Sequence, residues 1–262
     1  KERAQALMDG FADPEVDVVL ALRGGYGTAR LLPFLDWEKI GKSEAVFAGL
    51  SDLTAFNLAL YAKCGRASWQ GPTARAFARC NHLYNERFMR AMTHSSFVLD
   101  SRVDGDDFDA QGLFWGGNLT ILLSLLGTPW FPHIEGGILV LEDVYVTAWR
   151  FERMLVQLLQ SGILARQKAL IVGDVSGHDA GLGGPNSGLS LEDVLEYISK
   201  EASIPVVRGL DYGHKPDTLT IPVGAQVRAA CADGCLHLEF DAPPVPAEYP
   251  GAQSARAPLW WV

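Results

Sequence analysis

Two short apolar runs, each followed by residues with helical spacing, constrain the fold of this chain more than any other feature. The first run covers residues 16–22 and precedes a predicted helix that begins near Thr28. The second covers residues 45–50 and precedes a predicted helix over residues 52–62. A strand buried on both faces of a parallel sheet has such an apolar pattern, because helices cover both faces of the sheet. The alternation therefore predicts an α/β fold with a parallel sheet.

A different organisation begins after the first third of the chain. An amphipathic helix is predicted over residues 148–160. The last third contains short β-like segments, and its Asp233-Gly234 pair is typical of a two-residue hairpin turn. We predict that residues 1–95 form an N-terminal parallel-sheet α/β domain. Residues 96–262 are predicted to form a C-terminal mixed α/β domain rich in short strands.

The charge balance argues against two classes of partner. The 262 residues include 22 Lys and Arg against 31 Asp and Glu, which gives a formal net charge of -9 without any basic run. A nucleic-acid or anionic-membrane surface would need such runs. The longest apolar stretches are also far shorter than the roughly 20 residues of a membrane span. We therefore expect a small molecule or a peptide as partner, and neither nucleic acid nor a membrane.

The cysteines predict neither a disulfide framework nor a metal site. They include no CxxC pair, and their spacing does not combine with the histidines as in a zinc site. We interpret them as reduced thiols, and we expect neither a metal nor another cofactor. The four residues are Cys64, Cys80, Cys231 and Cys235.

Ser51 is the first candidate for chemistry, because it lies where the second apolar run meets the following helix. A serine on a sharp strand-to-helix turn exposes its hydroxyl above the sheet, and the next amide can donate to an oxyanion. The stretch from Gly49 to Leu53 lacks the second glycine of the G-x-S-x-G motif. Taken alone, it favours a simpler interpretation of Ser51 as a helix N-cap, with Asp52 in the first turn.

A serine nucleophile needs a base, and His214 is the candidate base. It follows Gly213 on a predicted loop before a β-rich segment, and catalytic bases tend to lie on loops held by a rigid scaffold. Surface or structural roles are favoured for the other histidines, which are His82, His94, His133, His178 and His237.

The third candidate position is the end of an apolar strand predicted over residues 138–141. Glu142 and Asp143 follow it directly, and carboxylates at such strand ends face the crevice in which α/β proteins bind ligands. Both could instead cap the next turn, which suits Asp143 in particular. A metal site that combines both carboxylates with His214 is the weaker alternative, because no paired histidine spacing supports it.

A glycine-rich segment, Arg23-Gly24-Gly25-Tyr26-Gly27, follows the first apolar run. It matches neither G-x-G-x-x-G nor the P-loop motif, and no lysine follows that could contact a phosphate. Clustered glycines still let the backbone approach an anion, and an oxyanion intermediate is also an anion. The spacing alone leaves a phosphate site and an oxyanion site open.

Taken together, five ordered motifs resemble the LD-carboxypeptidase family of serine peptidases. The motifs are DPEVDVVLALRGGYGTARLLPFLDW, GLSDLTA, GGNLTILLSLLGTPW, ILVLEDV with the following RFERMLVQLLQSGIL, and YGH followed by TIPVG. They are spread over most of the chain. The resemblance implies an N-terminal α/β domain, a C-terminal domain and an active site in the cleft between them.

The resemblance also implies roles for individual residues. Ser51 would be the nucleophile, His214 the general base and Glu142 the carboxylate that orients the histidine. The amides of Asp52 and Gly25 would form the oxyanion hole. The substrate-binding loop positions would be Gly24, Tyr26, Gly117 and Asn118.

The activity implied by the resemblance is hydrolysis of murein tetrapeptides, which releases the terminal D-alanine through an acyl-enzyme during peptidoglycan recycling. It further implies a cytoplasmic homodimer. Two alternatives stay open: a microcin-immunity-like peptidase that cleaves an acyl-adenylate-type antibiotic, and a non-catalytic α/β protein that binds a ligand at the glycine loop. The first is disfavoured because the span from Ser51 to Glu142 is compact.

The sequence departs from the family pattern in three places. The family has an N-terminal strand that we expect to be missing here. Val146 stands near the position where members often carry a second glutamate, which favours Glu142 as the member of the triad. Gln70 precedes the Gly-Pro pair where members commonly have histidine. We therefore predict that substrate contacts near Gln70 differ from those of the family.

Overall fold

The computed structural model describes residues 1–78, 82–93, 96–176, 188–215, 218–241 and 260–261. Its strands are β1 (Val18–Leu20), β2 (Val46–Ala48), β3 (Ser68–Gln70), β4 (Ser96–Arg102), β5 (Asp104–Gly105), β6 (Phe108–Asn118), β7 (Ile138–Asp143), β8 (Ala169–Val175), β9 (Val206–Arg208), β10 (Ile221–Val223), β11 (Ala225–Ala232), β12 (Cys235–Asp241) and β13 (Trp260–Trp261). Its α-helices are α1 (Glu2–Ala12), α2 (Trp37–Lys42), α3 (Thr54–Cys64), α4 (Ala74–Ala78), α5 (His82–Thr93), α6 (Leu119–Ser124), α7 (Ala148–Gln160) and α8 (Leu191–Ala202). Short 3-10 turns cover Thr28–Arg30, Leu32–Phe34, Ser51–Leu53 and Leu164–Arg166. Within the described residues, no helix is both long enough and apolar enough to cross a membrane.

Two sheets form the frame of the molecule. The first has the order β10-β3-β2-β1-β13, and its strands are parallel except that β10 pairs antiparallel with β3. The second has the order β4-β12-β11-β6-β7-β8-β9-β5. Strands β6 to β9 are parallel, and the strands on either side of them pair antiparallel. The predicted α/β class is confirmed, and the structure shows a first sheet of mainly parallel strands and a second, mixed sheet.

An aromatic cluster holds the first sheet against its helices. Phe11 of α1, Phe47 of β2 and Phe56 of α3 contact one another, with ring centroids 4.4 to 6.5 Å apart. All three side chains are buried, and aromatic rings at such distances contribute packing beyond the area that they bury. The start of α3 is thereby fixed relative to the end of β2.

The predicted hairpin and the predicted amphipathic helix are both present. Strands β11 and β12 pair antiparallel around Asp233 and Gly234, whose φ angles are 51° and 68°. A two-residue turn with positive φ at both positions matches the right-handed twist of the strands that it joins. Helix α7 has the predicted bounds, and its buried residues include Phe151 and Leu155 on one face.

Two features of the chain differ from the sequence predictions. The helix expected near Thr28 is replaced by two 3-10 turns, because Pro33 in the second turn has no backbone N–H and restricts helix continuation. Strands β4 and β6 were not predicted. The first half of β6 alternates between half-buried and exposed residues such as Asp109 and Gln111, so no continuous apolar run marks it.

The two sheets are closely joined. Strand β10 lies in the first sheet although it follows the predicted boundary at residue 95. A buried apolar cluster also includes Phe56 beside the first sheet and Leu122 beside the second. The boundary itself stays a prediction, since residues 94 and 95 lie outside the described residues. Contacts between the sheets hold the strand ends that carry the candidate site.

Candidate active site

Ser51 lies on a strained turn between β2 and α3. Leu50 is extended, with φ -123° and ψ 164°, whereas Ser51 has a φ of 71°. This left-handed conformation costs a residue other than glycine about 1–2 kcal/mol, and such strain is concentrated at functional sites. A serine on a strained strand-to-helix turn is the geometry of a nucleophile elbow.

The glycine loop lies directly against Ser51. A Cβ atom built on Gly24 would lie 2.9 Å from the Ser51 Cβ and 3.3 Å from its Oγ, so a larger residue would require a shift. Gly25 and Gly27 have φ angles of 133° and 97°, in the region that favours glycine. A backbone this close to a serine hydroxyl can donate to an oxyanion that forms beside it.

Asp52 links the glycine loop to the nucleophile turn. Its carboxylate is buried, and Oδ2 accepts a hydrogen bond from the N–H of Thr28 at 2.8 Å. Tyr26 is 81% exposed, and the guanidinium of Arg30 lies 5.3 Å from its ring centroid. The loop is therefore fixed at its end while its tip faces solvent.

Glu142 and Asp143 end strand β7, and both are buried. Nδ2 of Asn118 donates to Oε1 of Glu142 at 3.1 Å and to Oδ1 of Asp143 at 3.2 Å. Asp143 also accepts from the N–H and the hydroxyl of Thr120, at 2.9 and 2.7 Å. Buried carboxylates need such hydrogen bonds. The network therefore holds both carboxylates at the strand end.

His214 connects the carboxylate to the serine. Its Nδ1 lies 2.7 Å from Oε2 of Glu142, and its Nε2 lies 3.0 Å from Oγ of Ser51. Gly213 has a φ of 138°, and a Cβ there would lie 2.8 Å from the Cβ of Asp174. When Nδ1 carries the proton, the Nδ1–H donates a hydrogen bond to Oε2 of Glu142, and Nε2 can accept one from the Ser51 hydroxyl. The three predicted triad residues thus form one hydrogen-bonded chain, and their catalytic roles stay predictions.

The pKa of His214 lies above its ordinary value. Burial of the ring acts to lower this pKa, but the hydrogen bond with Glu142 and the negative charges of Glu142, Asp143 and Asp174 raise it by more. Nearby negative charge favours the protonated form of an imidazole. The surroundings therefore strengthen His214 as a proton acceptor.

Gly117 and Asn118 do not lie on a loop, which corrects their predicted placement. Both end strand β6, and both are buried. Oδ1 of Asn118 accepts from the N–H of Ile121 at 3.1 Å and caps helix α6, as asparagine commonly does. These two residues shape the carboxylate side of the site from within the fold.

The remaining described histidines and cysteines do not take part in the hydrogen-bonded chain from Ser51 to Glu142. His133 lies 3.2 Å from Glu135, and His237 lies 2.7 Å from Asp100, in two exposed pairs. The part of the chain that the structure describes contains no group of three or more His, Cys, Asp or Glu residues able to hold a metal ion. The described cysteines are free thiols, namely Cys64, Cys231 and Cys235. Residues outside the described part include His94, His178 and Cys80, together with the side chain of His82.

Sequence reasoning missed a buried polar group beside the site. The hydroxyl oxygen of Thr54 accepts from Nε2 of Gln70 at 3.1 Å and from the N–H of Asn118 at 3.0 Å. Thr54 and Gln70 are fully buried. The signal that could have found this group is Gln70 itself, which replaces the histidine expected from the family resemblance.

Comparison with known proteins identifies the family. The family model for the LD-carboxypeptidase N-terminal domain matches residues 1–71, and the model for the C-terminal domain matches residues 111–229. The chain belongs to the LD-carboxypeptidase family. The membership predicted from the five motifs is thereby confirmed, and this LD-carboxypeptidase is an enzyme of the carboxypeptidase class.

Three relatives show how far the similarity extends. The crystal structure of muramoyltetrapeptide carboxypeptidase from Oxalobacter formigenes is 39% identical with a TM-score of 0.86, and 95% of this chain and 85% of that chain are covered. The probable murein peptide carboxypeptidase of Bacillus subtilis is 31% identical over 248 residues, which are 91% of this chain and 76% of the relative. An MccF-like protein from Bacillus anthracis is 26% identical with a TM-score of 0.80, and 92% and 81% of the two chains are covered.

Proposed function

We propose that this LD-carboxypeptidase releases the terminal D-alanine from murein tetrapeptides by hydrolysing the bond between an L-configured centre and D-alanine. The observation that carries the proposal is the hydrogen-bonded chain from Ser51 through His214 to Glu142. A serine, an imidazole and a buried carboxylate in this order can perform acyl transfer. Relatives named as carboxypeptidases of muramoyltetrapeptide and murein peptide, at 39% and 31% identity, support this substrate.

The proposed reaction begins when Oγ of Ser51 attacks the scissile carbonyl carbon. Nε2 of His214 takes the hydroxyl proton, and Glu142 stabilises the imidazolium through the Nδ1–H. The imidazolium then donates its proton to the departing amine of D-alanine, which leaves an acyl-enzyme ester on Ser51. Water then attacks the ester carbonyl carbon while Nε2 of His214 takes its proton. The bond between the acyl carbon and Oγ of Ser51 breaks, the shortened peptide leaves with a new carboxyl group, and the imidazolium returns the proton to the serine oxygen.

The oxyanion of each tetrahedral intermediate would accept hydrogen bonds from the amides of Asp52 and Gly25. In a nucleophile elbow, the residue after the nucleophile supplies one donor, which here is Asp52. Gly25 is favoured for the second donor, because the preceding Gly24 packs against Ser51. One such donor contributes about 10²–10³ to the rate. The loop residues Gly24 and Tyr26 would then contact the substrate.

The MccF-like relatives suggest a competing substrate. One solved MccF structure contains aspartyl sulfamoyl adenosine, although its 23% identity to this chain indicates only a shared fold. The MccF-like protein of Bacillus anthracis reaches 26% identity, compared with 39% for the muramoyltetrapeptide carboxypeptidase. The murein peptide is therefore the favoured substrate, and the nucleoside conjugate is its competitor in the assay.

The test compares D-alanine release from a murein tetrapeptide by the wild type and by Ser51→Ala. We expect release by the wild type and a loss of at least about 10⁴-fold in the variant, because the nucleophile is absent. The matched control is the same tetrapeptide with a terminal L-alanine, which should stay intact. Full activity of Ser51→Ala would overturn the mechanism. Cleavage of aspartyl sulfamoyl adenosine without cleavage of the tetrapeptide would assign the competing substrate instead.

We further propose that the enzyme acts in the cytoplasm during peptidoglycan recycling. The free thiols of Cys64, Cys231 and Cys235 are compatible with a reducing compartment. A homodimer is expected from the family resemblance alone. Light scattering of the purified protein tests this expectation, and the mass of a single chain would contradict it.

A further inference from the structure

We propose that Thr54 is a positioning residue that keeps the nucleophile and the triad carboxylate in one frame. The proposal rests on the proposed function, since it takes Ser51 and Glu142 as parts of one catalytic chain. Thr54 is the first residue of α3 and lies three positions after Ser51. Its fully buried hydroxyl contacts both sheets. The side chain is therefore placed to set the distance between the two sides of the site.

The contacts form a polar joint, which we define as Thr54, Gln70 and Asn118. Oγ1 of Thr54 accepts from Nε2 of Gln70 in the first sheet and from the N–H of Asn118 in the second. Nε2 of Gln70 also lies 3.4 Å from the carbonyl oxygen of Gly116. The Asn118 side chain donates to Glu142 at 3.1 Å. Asn118 thus contacts Thr54 through its backbone N–H and Glu142 through its side chain.

Gly117 provides independent evidence that the sheets meet at this joint. Its φ is 133°, and a Cβ built there would lie 2.3 Å from Nε2 of Gln70 and 2.6 Å from Oγ1 of Thr54. The joint therefore occupies the space that any larger side chain would need. Oε1 of Gln70 is buried and has no hydrogen-bond partner among the described residues, so the amide is held by its Nε2 contacts. A buried amide oxygen without a hydrogen bond costs free energy of folding, and the two contacts of Nε2 offset this cost.

Thr54→Val tests the joint because valine keeps the shape of threonine and removes the acceptor. The N–H of Asn118 and Nε2 of Gln70 then lose a buried partner, and the end of β6 has to shift to find another. Displacements of about 1 Å in an active site cost up to about 100-fold in rate. We expect kcat to fall by about 10- to 100-fold while KM changes by less than about threefold. Thr54→Ser, which restores the hydroxyl, should recover most of kcat.

The pH profile of kcat/KM separates positioning from a loss of stability. In Thr54→Val the acid limb of the kcat/KM profile should move to lower pH, because a displaced Glu142 raises the pKa of His214 less. A variant that is merely partly unfolded would instead lose the same fraction of activity at each pH at which its folded fraction is the same. Its acid limb would therefore stay where it is in the wild type. Thr220→Val is the matched control, since the buried Thr220 hydroxyl has no hydrogen-bond partner in the part of the chain that the structure describes. Thr220→Val should keep the wild-type kcat and the wild-type position of the acid limb of the kcat/KM profile.

The labelling rate of Ser51 by a fluorophosphonate gives the same comparison without a peptide. If the wild type is labelled but cleaves no murein tetrapeptide, the proposed function fails, while roughly tenfold slower labelling of Thr54→Val still supports the joint. If Thr54→Val does not fold, Gln70→Met is measured instead, since it keeps the length of the side chain and removes the amide donor. A folded Thr54→Val, or in its place Gln70→Met, with wild-type kcat, acid limb and labelling rate overturns the proposal.

Discussion

The two sides of the candidate site hold their polar groups by different means. Ser51 is held by its backbone, through a left-handed φ and the close approach of Gly24. Glu142 is held by side-chain hydrogen bonds, from Asn118 on one oxygen and His214 on the other. Close packing resists added volume, whereas a hydrogen-bonded group is sensitive to the loss of a partner. Substitutions that add volume should therefore damage the side that holds Ser51. Substitutions that remove or replace a polar group should damage the side that holds Glu142.

Glu142→Gln should have the largest effect, because it changes polarity on the hydrogen-bonded side without changing volume. The amide cannot stabilise the imidazolium, and it can donate to Nδ1 and select the wrong tautomer of His214. In serine peptidases such a change lowers kcat by about 10⁴-fold. Steady-state kinetics measure the effect. Glu135→Gln, the same change in the exposed pair with His133, serves as the control and should leave kcat unchanged.

Gly24→Ala adds one methyl group on the backbone-held side. The new Cβ would lie 2.9 Å from the Cβ of Ser51 and 3.3 Å from the carbonyl oxygen of Leu50, so the loop or the nucleophile must move. We expect a loss of about 100-fold in kcat. Gly188→Ala is the control, because a Cβ there has no neighbour within 4 Å among the residues that the structure describes. Equal kcat values for the two variants would contradict the idea that packing sets the position of the nucleophile.

The pH profile measures the hydrogen-bonded side in the unmodified enzyme. His214 must be neutral to accept a proton, and its pKa is raised by Glu142, Asp143 and Asp174 against the effect of burial. Activity should therefore rise as pH increases through a value above that of an ordinary histidine. Below this value kcat/KM should fall about tenfold per pH unit. An acid limb at or below the pKa of a free histidine would contradict the assigned partners.

The contact between His214 and Glu142 should also make stability depend on pH. Its contribution to stability should decrease as pH rises, whereas activity should increase. A pKa that is higher in the folded state stabilises the fold below the unfolded pKa, and this contribution is lost as pH rises through the folded value. Urea unfolding of the wild type and Glu142→Gln at a series of pH values measures it. The difference in the free energy of unfolding between the two proteins should decrease across that window. A difference that grows with pH would contradict the direction of the shift.

The smallest predicted effect tests the strain at Ser51. Since its φ is 71°, Ser51→Gly should be more stable than Ser51→Ala by about 1 kcal/mol, although both lack the nucleophile. At Ser199, within helix α8, the order should reverse, and alanine should be better than glycine by up to about 1 kcal/mol. Urea unfolding of the four variants gives both differences. A Ser51→Ala variant at least as stable as Ser51→Gly would show that the turn stores no strain.

The site was easier to predict from sequence than the contacts that align it. Ser51 and Glu142 are polar residues directly after apolar runs, and His214 follows a glycine on a loop, so each has a local signal. Thr54 has none, because a threonine in the first turn of a helix is an ordinary residue. Its partners Gln70 and Asn118 are distant in sequence. Only the approach of the two sheets brings them together.

The fold was predictable where one pattern dominated a segment. Strands β1 and β2 and helix α7 have uninterrupted patterns, whereas the first half of β6 is half exposed and has no apolar run. The membership of β10 in the first sheet could not be predicted, because strand pairing across the chain depends on topology rather than on local residues. The polar joint could not be predicted for the same reason, because its residues meet only through the packing of the two sheets.

The pairing of β10 with β3 also bears on when the enzyme becomes active. Ile221 of β10 pairs with Gln70, and His214 lies seven residues before Ile221. His214 therefore reaches Ser51 only after β10 has paired with β3, which follows Ser51 closely in sequence, and such a long-range closure slows folding. During synthesis, a chain that already contains Ser51 and Glu142 still lacks His214, the proposed base. The proposed triad is thus completed only after the segment that contains His214 and β10 has been made.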